Sequence, residues 1–262
     1  MAKTRVTAGT GIAGALGLRR FPLVTVVVLA VTAACAVAQA LVPGMLAALE
    51  RAPVTLHGQW WRLGTSLFVQ DGGLIGTLSN LLFLVLVGAM AEQVLTRPSW
   101  LLHYFAPGVA TEFVACAWQP TGAGNSIAIC GLAGALAVTL WRGAARPRPG
   151  GRADARAAVV ARPHPAMVPI LMLWCGALAG TLSPAVSAPA VVAGVVLAGL
   201  ARIGRRRGLA VERPAAVVIA LTGAGLAAAT NVHGAALLIG TATRAATALA
   251  AAIRHHPRPP TA

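Results

Sequence analysis

Residues 124–136 read GNSIAICGLAGAL. One serine, Ser126, follows Gly124-Asn125 and opens a run whose remaining residues are all small or apolar. The run extends to residue 143, about 27 Å of helix at 1.5 Å per residue. That length suits the hydrocarbon core of a bilayer, about 30 Å thick. Ser126 therefore stands where a membrane helix begins. It is either a polar cap at that entrance or a nucleophile held there.

Composition places the rest of the chain in the same solvent. Of 262 residues, 57% are hydrophobic and 10% charged, and the mean hydropathy is +0.76. Apolar stretches about twenty residues long, separated by short basic segments, indicate an all-α, polytopic membrane bundle. The first run, 21–41, is long enough to span and more runs follow, which argues against a cleaved signal peptide. Abundant Ala and Gly suit close helix packing in lipid. The net charge of +15 sits between apolar runs rather than on a continuous surface, so nucleic acid is not an expected partner. Cys35, Cys116, Cys130 and Cys175 lie within apolar runs without metal-ligand spacing. No metal and no cofactor are expected.

Eight candidate spans follow: 21–41, 73–94, 99–118, 126–143, 166–184, 186–203, 214–230 and 232–252. The fifth and sixth are short and joined by SPAVSAP, which leaves a re-entrant pair open as an alternative. With 1–20 in the cytoplasm, Arg146, Arg148, Arg152, Arg156 and Arg162, then Arg205, Arg206, Arg207 and Arg213, and the basic tail 253–262 all fall on the cytoplasmic side. Only Arg51 and Arg62 fall in an outer loop. This asymmetry predicts a multi-pass protein with both termini cytoplasmic; a bacterial plasma membrane is the expected location. The segment 42–72 is expected to lie in the outer leaflet as an amphipathic element, with Trp60 and Trp61 at the interface. Segments 145–165 and 253–262 are expected to be mobile.

Polar groups inside a bilayer are costly and so mark structure or function. Here they are Asn80, Glu92, His103, Glu112, Ser126, Thr139, His233, Thr241, Thr243 and Arg244. Ser126 and His233 open two spans that both run from outside to inside. If those helices pack together, a serine and its base stand at one depth. The alternative is a helix cap and an interfacial anchor. His103 is expected at an interface, and Glu112 either protonated or facing a polar cavity.

Four further stretches bear on that choice. GQWWRLGTSLF carries Trp61-Arg62; NLLFLVLVGAMAE spaces Asn80, Gly88 and Glu92; GNSIAICGLAGAL supplies Gly124 and Ser126; HGAALLIG supplies His233 and Gly240. In order, spacing and sidedness this series resembles the rhomboid intramembrane serine proteases, over about residues 21–143 and 214–252. The resemblance implies a six-helix core, here within 21–252, with an inserted helix pair at 166–203. It implies a catalytic dyad of Ser126 and His233, with Asn80 and the Ser126 N–H stabilising an oxyanion and Gly124 admitting the substrate. Trp61, Arg62, Glu92 and Gly240 would be structural. The implied partners are transmembrane protein substrates; a member without proteolysis would instead hold transmembrane clients. The series departs from the family pattern at Ile127, where Gly is usual, and at Gly76, where a histidine often stands. Ala228 and Val232 also depart in the lead-in to His233, where Asn231 is an added polar group.

Overall fold

The computed structural model describes residues 18–144 and 163–254. Most of 1–20, of 145–165 and of the tail 253–262 lies outside the described residues. A helix forms at each of the eight expected places: α1 (Leu23–Leu41), then, past two short helices, α2 (Met45–Leu49) and α3 (Arg62–Thr65), come α4 (Gly73–Val94), α5 (Arg97–Trp118), α6 (Ser126–Ala144), α7 (Met167–Ala179), α8 (Pro184–Arg206), α9 (Glu212–Ala228) and α10 (Val232–Arg254). No named strand occurs among the described residues. Five helices are long and apolar enough to cross a membrane: α1, α4, α6 over Ser126–Gly143, α8 and α10. The protein is thus an all-helical, multi-pass membrane protein. The other three fall short for local reasons. α5 carries Arg97, His103 and Glu112, α7 has 13 residues and α9 has 17.

α6 is the centre. Of its apolar window 67% is buried, against 17–33% in the other four crossing helices, and α4, α5, α9 and α10 all pack on it. Its sequence explains why. A Cβ added at Gly131 would lie 2.6 Å from the His103 carbonyl oxygen of α5, and one at Gly134 2.4 Å from the Leu237 oxygen of α10. Gly240 faces back, with an added Cβ 2.4 Å from the Gly131 oxygen. The α6–α10 contact is therefore backbone against backbone, which is how small residues bind helices where lipid competes for every apolar side chain.

Of the helix pair expected as an insertion, the first helix joins the bundle and the second packs on the first. α7 packs between α4 and α9, with the Phe83 and Trp174 ring centroids 4.6 Å apart. α8 lies against α7 through Gly194, whose added Cβ would be 3.0 Å from the Gly176 Cα. The Ser187 hydroxyl donates to the Gly180 carbonyl at 2.6 Å, clasping the connection.

Two family-like features hold the first helix and the outer segment. The Glu92 carboxylate accepts from Val24 N–H (3.1 Å), Thr25 N–H (2.8 Å) and the Thr25 hydroxyl (2.9 Å). It thereby satisfies amides at the start of α1 that no helical carbonyl can reach. Gly88, one turn earlier, admits Thr25 to that position. Arg62, buried, donates to the carbonyls of Ala47 (2.8 Å) and Glu50 (2.7 Å) at the end of α2. Trp60 and Trp61 beside it are 53% and 55% exposed, as side chains at an interface would be. His103 is fully buried within the bundle, because α5 packs against α6 there and its Nδ1 bonds the Ser99 carbonyl one turn back.

Gly240→Ala is expected to destabilise the bundle by about 1–3 kcal/mol, the usual cost of overpacking a closed contact. Thermal unfolding in detergent measures it. A loss no larger than that of an alanine placed at the open Gly199 would contradict the backbone contact.

Candidate active site

The segment before α6 is pinned from several sides. Arg51 and Gly122 exchange backbone hydrogen bonds of 3.0 and 3.1 Å. Ala123 N–H donates to Asp71 (2.9 Å) and Gly124 N–H to the Ser66 carbonyl (2.9 Å). Asn125 then occupies the cap position. Its carbonyl accepts the first helical bond, from Ile129 N–H at 3.0 Å, and its side-chain oxygen accepts from Gln70 at 3.3 Å. Ser126 is the first helical residue. As such its backbone N–H has no acceptor within its own helix. Its hydroxyl is half-buried and meets another helix.

That helix is α10. Ser126 Oγ lies 3.0 Å from His233 Nε2, inside hydrogen-bond reach. Both lie in the first turn of their helices, so the glycine contact below sets their separation. The other side of the imidazole is held too. His233 Nδ1 is 2.9 Å from Asn231 Oδ1, which also accepts the His233 backbone N–H at 3.0 Å. Asn231 Nδ2 donates to Thr181 Oγ1 at 3.0 Å, and Thr181 donates to the Leu178 carbonyl at 2.7 Å. The chain thus runs from Ser126 back to the turn that follows α7.

Asn80 approaches from α4. Its Nδ2 donates to Gln70 Oε1 at 2.8 Å, which fixes the amide and leaves its second N–H uncommitted to that bond. Gly124 lies between. Its φ of +142° favours glycine, and a Cβ added there would sit 3.5 Å from both Asn80 Nδ2 and Ser126 Oγ. A side chain at 124 would therefore fill the space between amide and hydroxyl. That space belongs to a cavity of about 300 Å³ bordered by Asn80, Gly124, Ser126, Ile127, Trp174 and His233. Ile127 is 3% exposed and joins the packed core, so the cavity persists with this branched side chain in place. Gly76 leaves the α4 side open.

Arg51 and Glu112 form the polar wall. The sequence put one in an outer loop and gave the other no partner. They are ion-paired, with side chains 4% and 0% exposed. Arg51 also donates to the carbonyls of Gln119 (2.8 Å) and Thr121 (3.3 Å). A charge so deeply buried persists only when paired. Gln70, Thr181 and the Arg51–Glu112 pair escaped sequence reading because they carry no motif spacing. Asn231, two residues before His233, was visible as an added polar group without a role.

Among the described residues no cluster of His, Cys, Asp or Glu has the makings of a metal site. A sequence model described as the Rhomboid domain matches residues 57–208. It takes in Asn80, Ser126 and the α7–α8 pair but ends before α10, so His233 joins the matched region through its contact with Ser126. No curated protein and no solved structure matches the chain significantly.

Glu112→Leu alone is expected to cost about 3–5 kcal/mol by stranding Arg51. The double change Arg51→Met with Glu112→Leu is expected to recover much of that loss. Chemical or thermal unfolding of the two variants tests the pairing; equal losses in single and double variants would refute it.

Proposed function

This chain belongs to the rhomboid family, and on that premise we propose that it is an intramembrane serine endopeptidase whose nucleophile is Ser126 and whose base is His233. The observation that carries the proposal is the 3.0 Å separation of Ser126 Oγ and His233 Nε2 beside an open cavity.

The chemistry follows from the groups present. Ser126 Oγ attacks the scissile carbonyl as its proton passes to Nε2. The tetrahedral oxyanion meets two donors, the Ser126 N–H at a helix N-terminus and the Asn80 amide. The imidazolium gives its proton to the leaving amine as the C–N bond breaks. Water then hydrolyses the acyl-enzyme by the same two proton transfers. Irregular backbone at 119–125 suits such a position, since in a membrane it persists only against protein or water. The substrates of this reading are single transmembrane segments entering from the bilayer. The protein would lie in a plasma membrane with both ends cytoplasmic, α5, α7 and α9 crossing along with the five longer helices.

A second reading has an observation of its own. Ile127 beside the nucleophile and Gly76 in place of a further donor suit a family member that holds transmembrane clients without cutting them. Client co-purification that survives Ser126→Ala and His233→Ala would favour it.

A fluorophosphonate probe is expected to label the detergent-solubilised protein at Ser126. Ser126→Ala and His233→Ala should abolish labelling while leaving unfolding temperatures near the parent's. Asn80→Ala should lower substrate turnover by about 10²–10³, the usual effect of losing one oxyanion donor. Labelling that persists in folded Ser126→Ala protein would refute the assignment.

A further inference from the structure

We propose that Asn231 is a positioning residue for His233, a neutral third member that fixes the imidazole tautomer facing Ser126. The inference rests on the protease reading for its purpose and on hydrogen-bond logic for its content.

The orientation of the Asn231 amide is determined from both ends. Its oxygen lies 3.0 Å from the His233 backbone N–H, a group that can only donate. Its nitrogen lies 3.0 Å from Thr181 Oγ1. The single hydroxyl proton of Thr181 goes to the Leu178 carbonyl, 2.7 Å away, so Thr181 can only accept from Asn231. A flipped amide would set donor against donor at one end and acceptor against proton-spent oxygen at the other. With Oδ1 facing the ring at 2.9 Å, Nδ1 must carry the proton. Nε2 then holds the lone pair, aimed at Ser126 Oγ at 3.0 Å. That is the tautomer a base needs to take the serine proton, and the other tautomer is inert.

The turn carrying Asn231 bears the marks of constraint. Asn231 N–H bonds the Leu226 carbonyl at 2.9 Å and Thr230 N–H the Ala227 carbonyl at 2.9 Å, closing α9. Such closures usually place glycine in the left-handed position. Here it is Thr230, β-branched, at φ +52°. Strain of this kind persists where the surroundings over-determine the backbone. The turn presents Asn231, 7% exposed, to the ring on one side and to the turn after α7 on the other. The α7–α8 pair thereby joins the reacting groups through Thr181.

The test uses the full chain with ¹⁵N-labelled histidine rings, His233 being assigned through His233→Gln. Wild type should show protonated Nδ1 and bare Nε2. Asn231→Ala should lose that preference, with fluorophosphonate labelling slowed roughly tenfold to a hundredfold, the worth of one hydrogen bond to a group that becomes charged. Asn231→Asp keeps the acceptor and should keep the tautomer and near-parent labelling. Thr181→Val frees the amide to turn and should fall between, which keeps the idea testable if Asn231→Ala does not fold. Protonated Nε2 in folded wild type, or an unchanged tautomer and labelling rate in Asn231→Ala, would overturn the inference. Tautomer changes as expected in a protein that the probe never labels would uphold the positioning of His233 and overturn the protease reading instead.

Discussion

Everything at the candidate site depends on how closely α6 and α10 approach. Gly131, Gly134 and Gly240 let main-chain atoms of the two helices touch, and Ser126 and His233 stand at the starts of those same helices. Any side chain at the contact would wedge the helices apart and carry the hydroxyl out of reach of the imidazole. A bilayer offers no hydrophobic gain for joining two apolar helices, so the approach rests on packing and dispersion between backbones. The same glycines therefore serve assembly and the Ser126–His233 contact together.

Polar groups account for much of the remaining order. Three side chains are placed where backbone amides or carbonyls would otherwise lack a partner. Glu92 takes the first amides of α1, Arg62 the last carbonyls of α2, and Arg51 the carbonyls of the loop before α6. Gln70 draws Asn80 and Asn125 into one network, so the Asn80 amide and the helix cap are oriented by one residue. The Asn231–Thr181 bond extends the ordering to α7. Unpaired polar groups are expensive in a low-dielectric interior, which leaves the loops around Ser126 few alternative arrangements.

The helices were legible because their signal is local. Twenty apolar residues between basic segments need no knowledge of neighbours, and the bounds of α4 and α6 follow from it closely. Ser126, His233 and Asn80 were legible as polar residues in apolar runs, given that their order and spacing resemble a family series. Pairings across helices were not. Arg51 and Glu112 are 61 residues apart, and nothing in either local stretch names the other. Asn231 looked like a departure from a lead-in pattern; only the fold shows it bonded to both His233 and Thr181. The α7–α8 pair read as an insertion because 107 residues separate Ser126 from His233. Its place beside α4, with Trp174 at the cavity, depends on packing that no hydropathy pattern encodes.

Whether this geometry cuts peptide bonds is decided by a cleavage measurement in a bilayer. Purified protein would be reconstituted into liposomes with a single-span substrate, and products identified by mass. One or a few cuts within or beside the transmembrane segment are expected, abolished by Ser126→Ala. An intact substrate, with Ser126 also unreactive toward a phosphonate in the same liposomes, would contradict this expectation and favour the client-holding reading.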